Sequence, residues 1–366
     1  MRVALVLTQD RGGPVDLSVA LALELAGRGG GPEVVIVGPP PVTSAGDPSS
    51  LLHPVHVRDK TDWSGTVALR AALAHLRPDV VHAQDRRASL MLAVPARPGV
   101  PVLATYHGVP DAAAGRWIAE GPLAGRRPSA YGRAVLSADA IVARLVRTTV
   151  APSEAMARFL ASRLRVPRQR VRVIRNGVAM PEARPPVGTA RRFVAVGSFA
   201  AIKAMPALVE AFAKAAETRP DLELRLVGDG EERVRCERLA VELGVADRVE
   251  FTGYRVDVPA QLAGCDAFVH PSVNENLPLA LLTAMGAGLA CVASPVGAVP
   301  EAITPGAGLV IRPGDAGDIA AAIVRLADEP GLATALGTEA AAVARARFTI
   351  ERCADEHALL WAEVLG

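Results

Sequence analysis

Short β-branched runs alternate with helix-length segments along the whole of this chain, and that alternation constrains the fold more than any other feature. Two strands separated by a helix-length crossover pair in parallel, whereas antiparallel neighbours need only a short turn. In the first half, the runs that predict strands are 3–7, 34–37, 80–83, 100–104, 148–150 and 171–174. In the second half they are 193–196, 222–227, 249–251, 267–269, 289–293 and 309–311. The reading is α/β: two doubly wound, Rossmann-like domains. Ligands of such sheets sit beyond the carboxyl ends of the strands, so two facing domains define a cleft between them.

A chain of 366 residues, half of them hydrophobic, is long enough for two such cores. The boundary is read at 181–188, PEARPPVG, a proline-rich stretch with no apolar periodicity that reads as a stiff linker. Charge changes sign there too. Residues 1–186 carry 24 Lys+Arg against 14 Asp+Glu, a balance of +10, and residues 187–366 carry 16 against 24, a balance of −8. The first half therefore suits an anionic partner, either a phosphorylated acceptor or a membrane surface, with 163–175, RLRVPRQRVRVIR, as its densest part. Residues 39–64, rich in Pro, Ser and Gly, read as one long connection of the kind that carries function.

Several classes are disfavoured. The opening MRVALVL has no basic region before a long apolar segment and reads as a first strand, not a cleaved signal. The apolar run 284–299 is broken by glycines and Pro295, so no transmembrane segment is expected. Cys236, Cys265, Cys291 and Cys353 share no metal-ligand spacing and fit reduced core thiols in the cytoplasm. Aromatic residues make up 4% and do not interleave with the arginines, which argues against nucleic acid. A dinucleotide oxidoreductase is disfavoured because the first loop lacks a full glycine fingerprint.

The candidate chemistry clusters just after the strands. Gly12 and Gly13 open a helix after the first strand, where bare backbone can approach a ligand. His107 follows the fourth strand of the first half, and His82 reads as a buried structural histidine. In the second half, Gly197-Ser198-Phe199-Ala200-Ala201-Ile202-Lys203 ends in one of only three lysines against 37 arginines, which favours a compact point charge aimed at a phosphate. Gly228-Asp229-Gly230 reads as a simple turn. Residues 270–294, HPSVNENLPLALLTAMGAGLACVAS, place Glu275 between a strand and a helix that opens at Pro278 with Asn276 as its cap. The helix N-terminus is expected to keep Glu275 ionised. Leu279 and Thr283, four apart, share a helix face directed at the ligand.

Taken together, these pieces resemble the retaining nucleotide-sugar glycosyltransferases of family 4, which have the GT-B fold. The likeness runs through the Gly12-Gly13 loop, PDVVHAQ at 78–84, His107, Ala151-Pro152-Ser153-Glu154, VIRNGV at 173–178, Lys203, LVGDGEE at 226–232, RVEFTGY at 248–254 and the segment from His270. It implies an acceptor-side domain at 1–180, a nucleotide-sugar domain at 189–345 and a last helix, within 346–366, that returns to the first domain. It further implies that Lys203 binds the donor diphosphate, Glu275 the donor sugar, and that His107 lies near the sugar from the acceptor side. Gly197, Ser198, Asn276, Leu277 and Leu279 belong to the donor site, Gly12 and Gly13 approach the diphosphate, and the loop with Tyr254 and Arg255 lies near the base. The implied co-substrate is a nucleotide-diphosphate sugar with no bound metal or other cofactor. The acceptor is a small molecule, a glycan or a lipid-linked hydroxyl, with peripheral contact at the inner membrane face through the basic half.

Two positions depart from the family pattern. Ser198 stands where the family usually has arginine, and Thr283 where a second glutamate binds the ribose hydroxyls. One threonine hydroxyl cannot replace a carboxylate on a diol, and each lost charge-assisted bond is worth roughly 1.5–3 kcal/mol. Weaker donor binding is the expectation. The rival reading is a non-catalytic relative that binds a sugar nucleotide or a partner enzyme.

Overall fold

The computed structural model describes residues 1–43, 45–59, 62–110, 113, 125–183 and 188–366. The linker expected at 181–188 is thus described only at its ends, since 184–187 lie outside this set. The chain sorts into two compact units, one of Met1–Ala113, Pro128–Ala179 and Phe348–Gly366, the other built around Met180–Arg347.

Among the described residues the first unit holds seven parallel strands: β1 (Arg2–Val6), β2 (Glu33–Gly38), β3 (Leu52–Pro54), β4 (Val80–Ala83), β5 (Val102–Thr105), β6 (Thr148–Ala151) and β7 (Val171–Val173). Their order is β3-β2-β1-β4-β5-β6-β7, so the winding reverses between β1 and β4. β1 and β4 are buried at almost every position and correspondingly apolar, as central strands of a parallel sheet are. The strand β3 interrupts 39–64, which the sequence presents as one long connection. It pairs Ile36 with Leu52 at the sheet edge, and with two of its three residues exposed and proline last it carries no alternating pattern.

The last helix, Ile350–Glu363, packs with the first, Gly13–Ala26, in this same unit. Thr349 caps it by accepting from the Arg352 N–H at 3.2 Å. The VIRNGV motif explains how the chain reaches that point. Val178 bridges to Thr349, and a Cβ on Gly177 would stand 2.4 Å from the Thr349 carbonyl oxygen, so only glycine admits the returning backbone. Ser153 of the Ala-Pro-Ser-Glu motif is likewise a cap, accepting from the Met156 N–H at 3.0 Å.

The second unit holds six parallel strands among the described residues: β8 (Arg192–Val196), β9 (Glu223–Val227), β10 (Val249–Gly253), β11 (Ala267–His270), β12 (Ala290–Ala293) and β13 (Leu309–Val310). The order is β10-β9-β8-β11-β12-β13, and the winding reverses between β8 and β11. These two strands are neighbours, pairing Phe193 with Ala267. Phe193, Phe199, Phe212 and Phe268 are fully buried around them. The loops leaving β8 and β11 therefore emerge side by side at the reversal, where an open parallel sheet leaves a crevice.

Candidate functional site

The loop after β8 carries Lys203, and the loop after β11 carries Glu275. Their side chains form an ion pair, Lys203 Nζ donating to Glu275 Oε1. Neither is far from burial, at 18% and 11% exposed. The Ser272 hydroxyl donates to the same oxygen at 3.1 Å, and His270 Nε2 lies 3.1 Å from it without the alignment of a full hydrogen bond. The backbones are tied as well, since the Val273 N–H donates to the Ile202 carbonyl at 2.8 Å.

Burial alone pushes the Glu275 carboxyl upward, but the Lys203 ammonium and the His270 ring outweigh it and hold the group at about 2. The carboxylate is thus ionised, as expected, for a different reason. The cation that fixes it is a side chain from the neighbouring loop, not the helix N-terminus. His270 and Ser272 were not foreseen as its partners. Their one sequence signal is their place directly after a strand, in the same segment as Glu275.

The helix begins one residue later than the proline suggested. Pro278 is the N-cap, with φ −75° and ψ 125°, and the helix runs Leu279–Gly286. Asn276 precedes that cap by two residues; it is buried and its carbonyl accepts from the Ala298 N–H at 3.0 Å. Leu277 is buried too. The first N–H groups of the helix, at Leu279, Ala280 and Leu281, have no partner within the helix and form its anion-attracting end. Thr283, partly buried, turns its hydroxyl back to donate to the Leu279 carbonyl at 2.9 Å. Its proton is therefore committed, and toward a ligand it can only accept.

Gly228-Asp229-Gly230 is more than a simple turn. A Cβ on Gly228 (φ 137°) would stand 1.9 Å from the Gly197 carbonyl oxygen, and one on Gly230 (φ 152°) 2.8 Å from the Phe199 nitrogen. The Phe199 N–H donates to the Asp229 carbonyl at 2.9 Å. The turn is a close-fitting support for the Lys203 loop. Ala204, next to Lys203, is held at φ 51° without being glycine, a conformation that costs about 1 kcal/mol. Ser198 is exposed on the same loop, as is Tyr254 beyond β10. Arg255 is forked onto Asp257 by two bonds of 2.8 Å.

The remaining candidates lie in the first unit. Gly12 caps the helix after β1 at φ 101°, exposed, with Gly13 the first helical residue. His107, after β5, lies 3.4 Å by Nε2 from Gln84 Oε1 at the end of β4. Burial, with the nearby His357 ring, lowers its imidazole to about 4. Behind it His82 is fully buried, as expected for a structural histidine. In the basic segment, Arg172 pairs with Glu363 and Arg175 with Glu154, while Arg163, Arg165 and Arg168 are exposed. Among the described residues, no helix is long and apolar enough to cross a membrane.

Comparison with known proteins follows the same lines. Residues 11–180 match the model for Glycosyltransferase Family 4, and residues 190–329 the model for Glycosyl transferases group 1. The N-acetyl-alpha-D-glucosaminyl L-malate synthase of Bacillus anthracis is 32% identical over 46% of this chain and 45% of its own. The MMP alpha-(1->4)-mannosyltransferase of Mycolicibacterium hassiacum is 31% identical over 72% of this chain and 66% of its own. The chain thus spans from about half to about two thirds of the length of these relatives. Anabaena Alr3699/HepE, solved in complex with UDP and glucose, shares the fold with a TM-score of 0.79 and 18% identity, covering 99% of this chain and 100% of that one.

Proposed function

The chain belongs to the family 4 glycosyltransferases, and from that premise we propose that it moves a sugar from a nucleoside diphosphate to a hydroxyl acceptor with retention of anomeric configuration. The observation that carries this reading is the ion pair of Lys203 and Glu275 at the two loops leaving adjacent strands.

In the free protein each charge of that pair neutralises the other. A donor diphosphate offers Lys203 a second anion, and the N–H groups at the start of the Leu279–Gly286 helix offer it donors. Charge that builds on the departing diphosphate is met by groups already in place, which is usually the largest catalytic contribution. Glu275, held ionised, accepts from hydroxyls of the sugar and orients it. In a front-face reaction the departing phosphate takes the proton of the incoming hydroxyl, so no enzymatic nucleophile is required. His107, neutral at physiological pH, is proposed to serve the hydroxyl acceptor in the first unit.

With this much cationic and amide stabilisation in one crevice, turnover is proposed to need no bound metal, and it should survive chelation. The relative named for L-malate supports a small hydroxyl-bearing acceptor. Exposed Arg163, Arg165 and Arg168 support peripheral contact with anionic lipid, which liposome binding that weakens with salt would show.

The test is a thermal-shift screen of sugar nucleotides followed by a transfer assay with the stabilising donor. Retention is read from the anomeric configuration of the product by NMR. Turnover by Lys203→Ala equal to that of the parent would remove the assignment.

A further inference from the structure

The first unit contains a cavity of about 480 Å³ beyond the carboxyl ends of β1, β2 and β3, lined among others by Asp10, Arg11, His56, Arg58 and Arg87. Three arginines thus line it against one carboxylate, that of Asp10. Each is differently occupied. Arg87 donates through Nη1 to the carbonyls of Val57 and Arg58, both at 3.2 Å, so backbone fixes its position without cancelling its charge. No carboxylate pairs with Arg87 among the described residues, and its Nε and Nη2 have no partner there. Arg58 lies 3.4 Å from Asp62, whose carboxylate already accepts from the Gly65 N–H and the Ser64 hydroxyl. Arg11 pairs with Asp10 at 3.1 Å, an exposed contact of little strength. The base of the cavity is fixed, because Thr8 is bound by its hydroxyl to buried Asp85 at 2.8 Å.

A planar cation held by carbonyls, with donors to spare, in a space of small-ligand size, is suited to an oxyanion. We propose that this cavity binds an anionic oxygen group of the acceptor, a carboxylate or a phosphate monoester, with Arg87 as the principal donor and Arg58 and Arg11 adding charge. The proposal rests on the reading that the acceptor is taken by the first unit, and it narrows the acceptor to anionic hydroxyl compounds.

The test is calorimetric titration of the full chain with glucose 6-phosphate, with succinate, and with glucose as the uncharged control. At least one of the anions should saturate a single site while glucose does not; the first reports phosphate, the second carboxylate. Arg87→Ala should weaken that binding about tenfold or more, and Arg58→Ala, an exposed side chain whose loss does not threaten folding, about threefold. Prior saturation with whichever of UDP or GDP raises the melting temperature should leave it unchanged. Anions that bind no better than glucose, affinity indifferent to both replacements, or displacement by the nucleotide would each overturn the proposal. Failure of the donor reading looks different: no sugar nucleotide stabilises the parent or the variants, while the anion titration stands.

Discussion

Trp361 donates its indole N–H to Nδ1 of His82 at 3.2 Å, joining two residues 279 apart in the chain. The bond requires Nδ1 to be bare, so the proton of His82 sits on Nε2, 2.9 Å from Thr105 Oγ1. Protonating this ring would break the tryptophan bond and leave a charge in the core. Burial drives the His82 imidazole well below its ordinary value, with the rings of His357 and His107 adding to the effect. His357 is buried as well and lowered to about 4, even though its Nδ1 donates to the Cys353 carbonyl at 2.8 Å.

Acid should therefore destabilise the first unit through its buried histidines. The unfolded chain takes up histidine protons as pH falls below 6.5, whereas folded His357 resists until about 4, so this stability is complete above 6.5 and is lost on the way down to 4. For His357 the loss is about 3 kcal/mol at the lower end. His107, only partly buried, contributes less. Urea unfolding at a series of pH values measures the slope, and His357→Asn, which keeps a donor for the Cys353 carbonyl, should flatten it. An identical slope in the variant would contradict this account.

Replacing Lys203 by alanine leaves Glu275 buried beside no ammonium. Stability should fall by about 3 kcal/mol, and transfer by about 100-fold or more. The double variant Lys203→Ala, Glu275→Gln should regain most of the stability and none of the activity, as read by chemical denaturation and a transfer assay. Recovery of neither would mean that the two side chains are not coupled.

Thr283→Glu should tighten nucleotide binding about tenfold or more, because a carboxylate accepts from both hydroxyls of a ribose whereas the present hydroxyl has already spent its proton on Leu279. Calorimetry with the preferred nucleotide decides this. No change in affinity would remove Thr283 from the ribose site.

Gly228→Ala and Gly12→Ala separate crowding from conformation. Both glycines have positive φ, but a Cβ on Gly228 meets the Gly197 carbonyl at 1.9 Å and one on Gly12 meets nothing within 4 Å. Gly12→Ala should cost about 2 kcal/mol, the strain of an extended positive-φ conformation that is almost exclusive to glycine. Gly228→Ala should cost more, because a backbone clash is added to the strain, and should weaken donor binding through the Lys203 loop, by thermal unfolding and calorimetry. Equal costs would show that the turn does not support that loop.

The central strands were readable in the chain because they are buried on both faces, and a buried parallel strand announces itself as an uninterrupted apolar run. The exception, β3, is short, exposed and at an edge. Lys203 and Glu275 were readable singly, from their positions after strands, but their pairing was not, since it depends on β8 and β11 lying side by side 74 residues apart between Phe193 and Ala267. The same limit explains the cause given for the ionised Glu275. Helix polarity is visible locally, whereas an ammonium from another loop is visible only after folding. The role of Gly228 was hidden likewise, because a turn and a close backbone approach call for the same residue.

The return of Phe348–Gly366 to the first unit has a consequence for synthesis. Trp361, fully buried, fills the space beside His82 and His357, yet it is made only after the whole of Met180–Arg347. A chain emerging from the ribosome can close the core of its second unit while that of the first still lacks a wall. The unit that begins first is thus closed only after the second has been made, and until then His82 lacks the donor for its Nδ1.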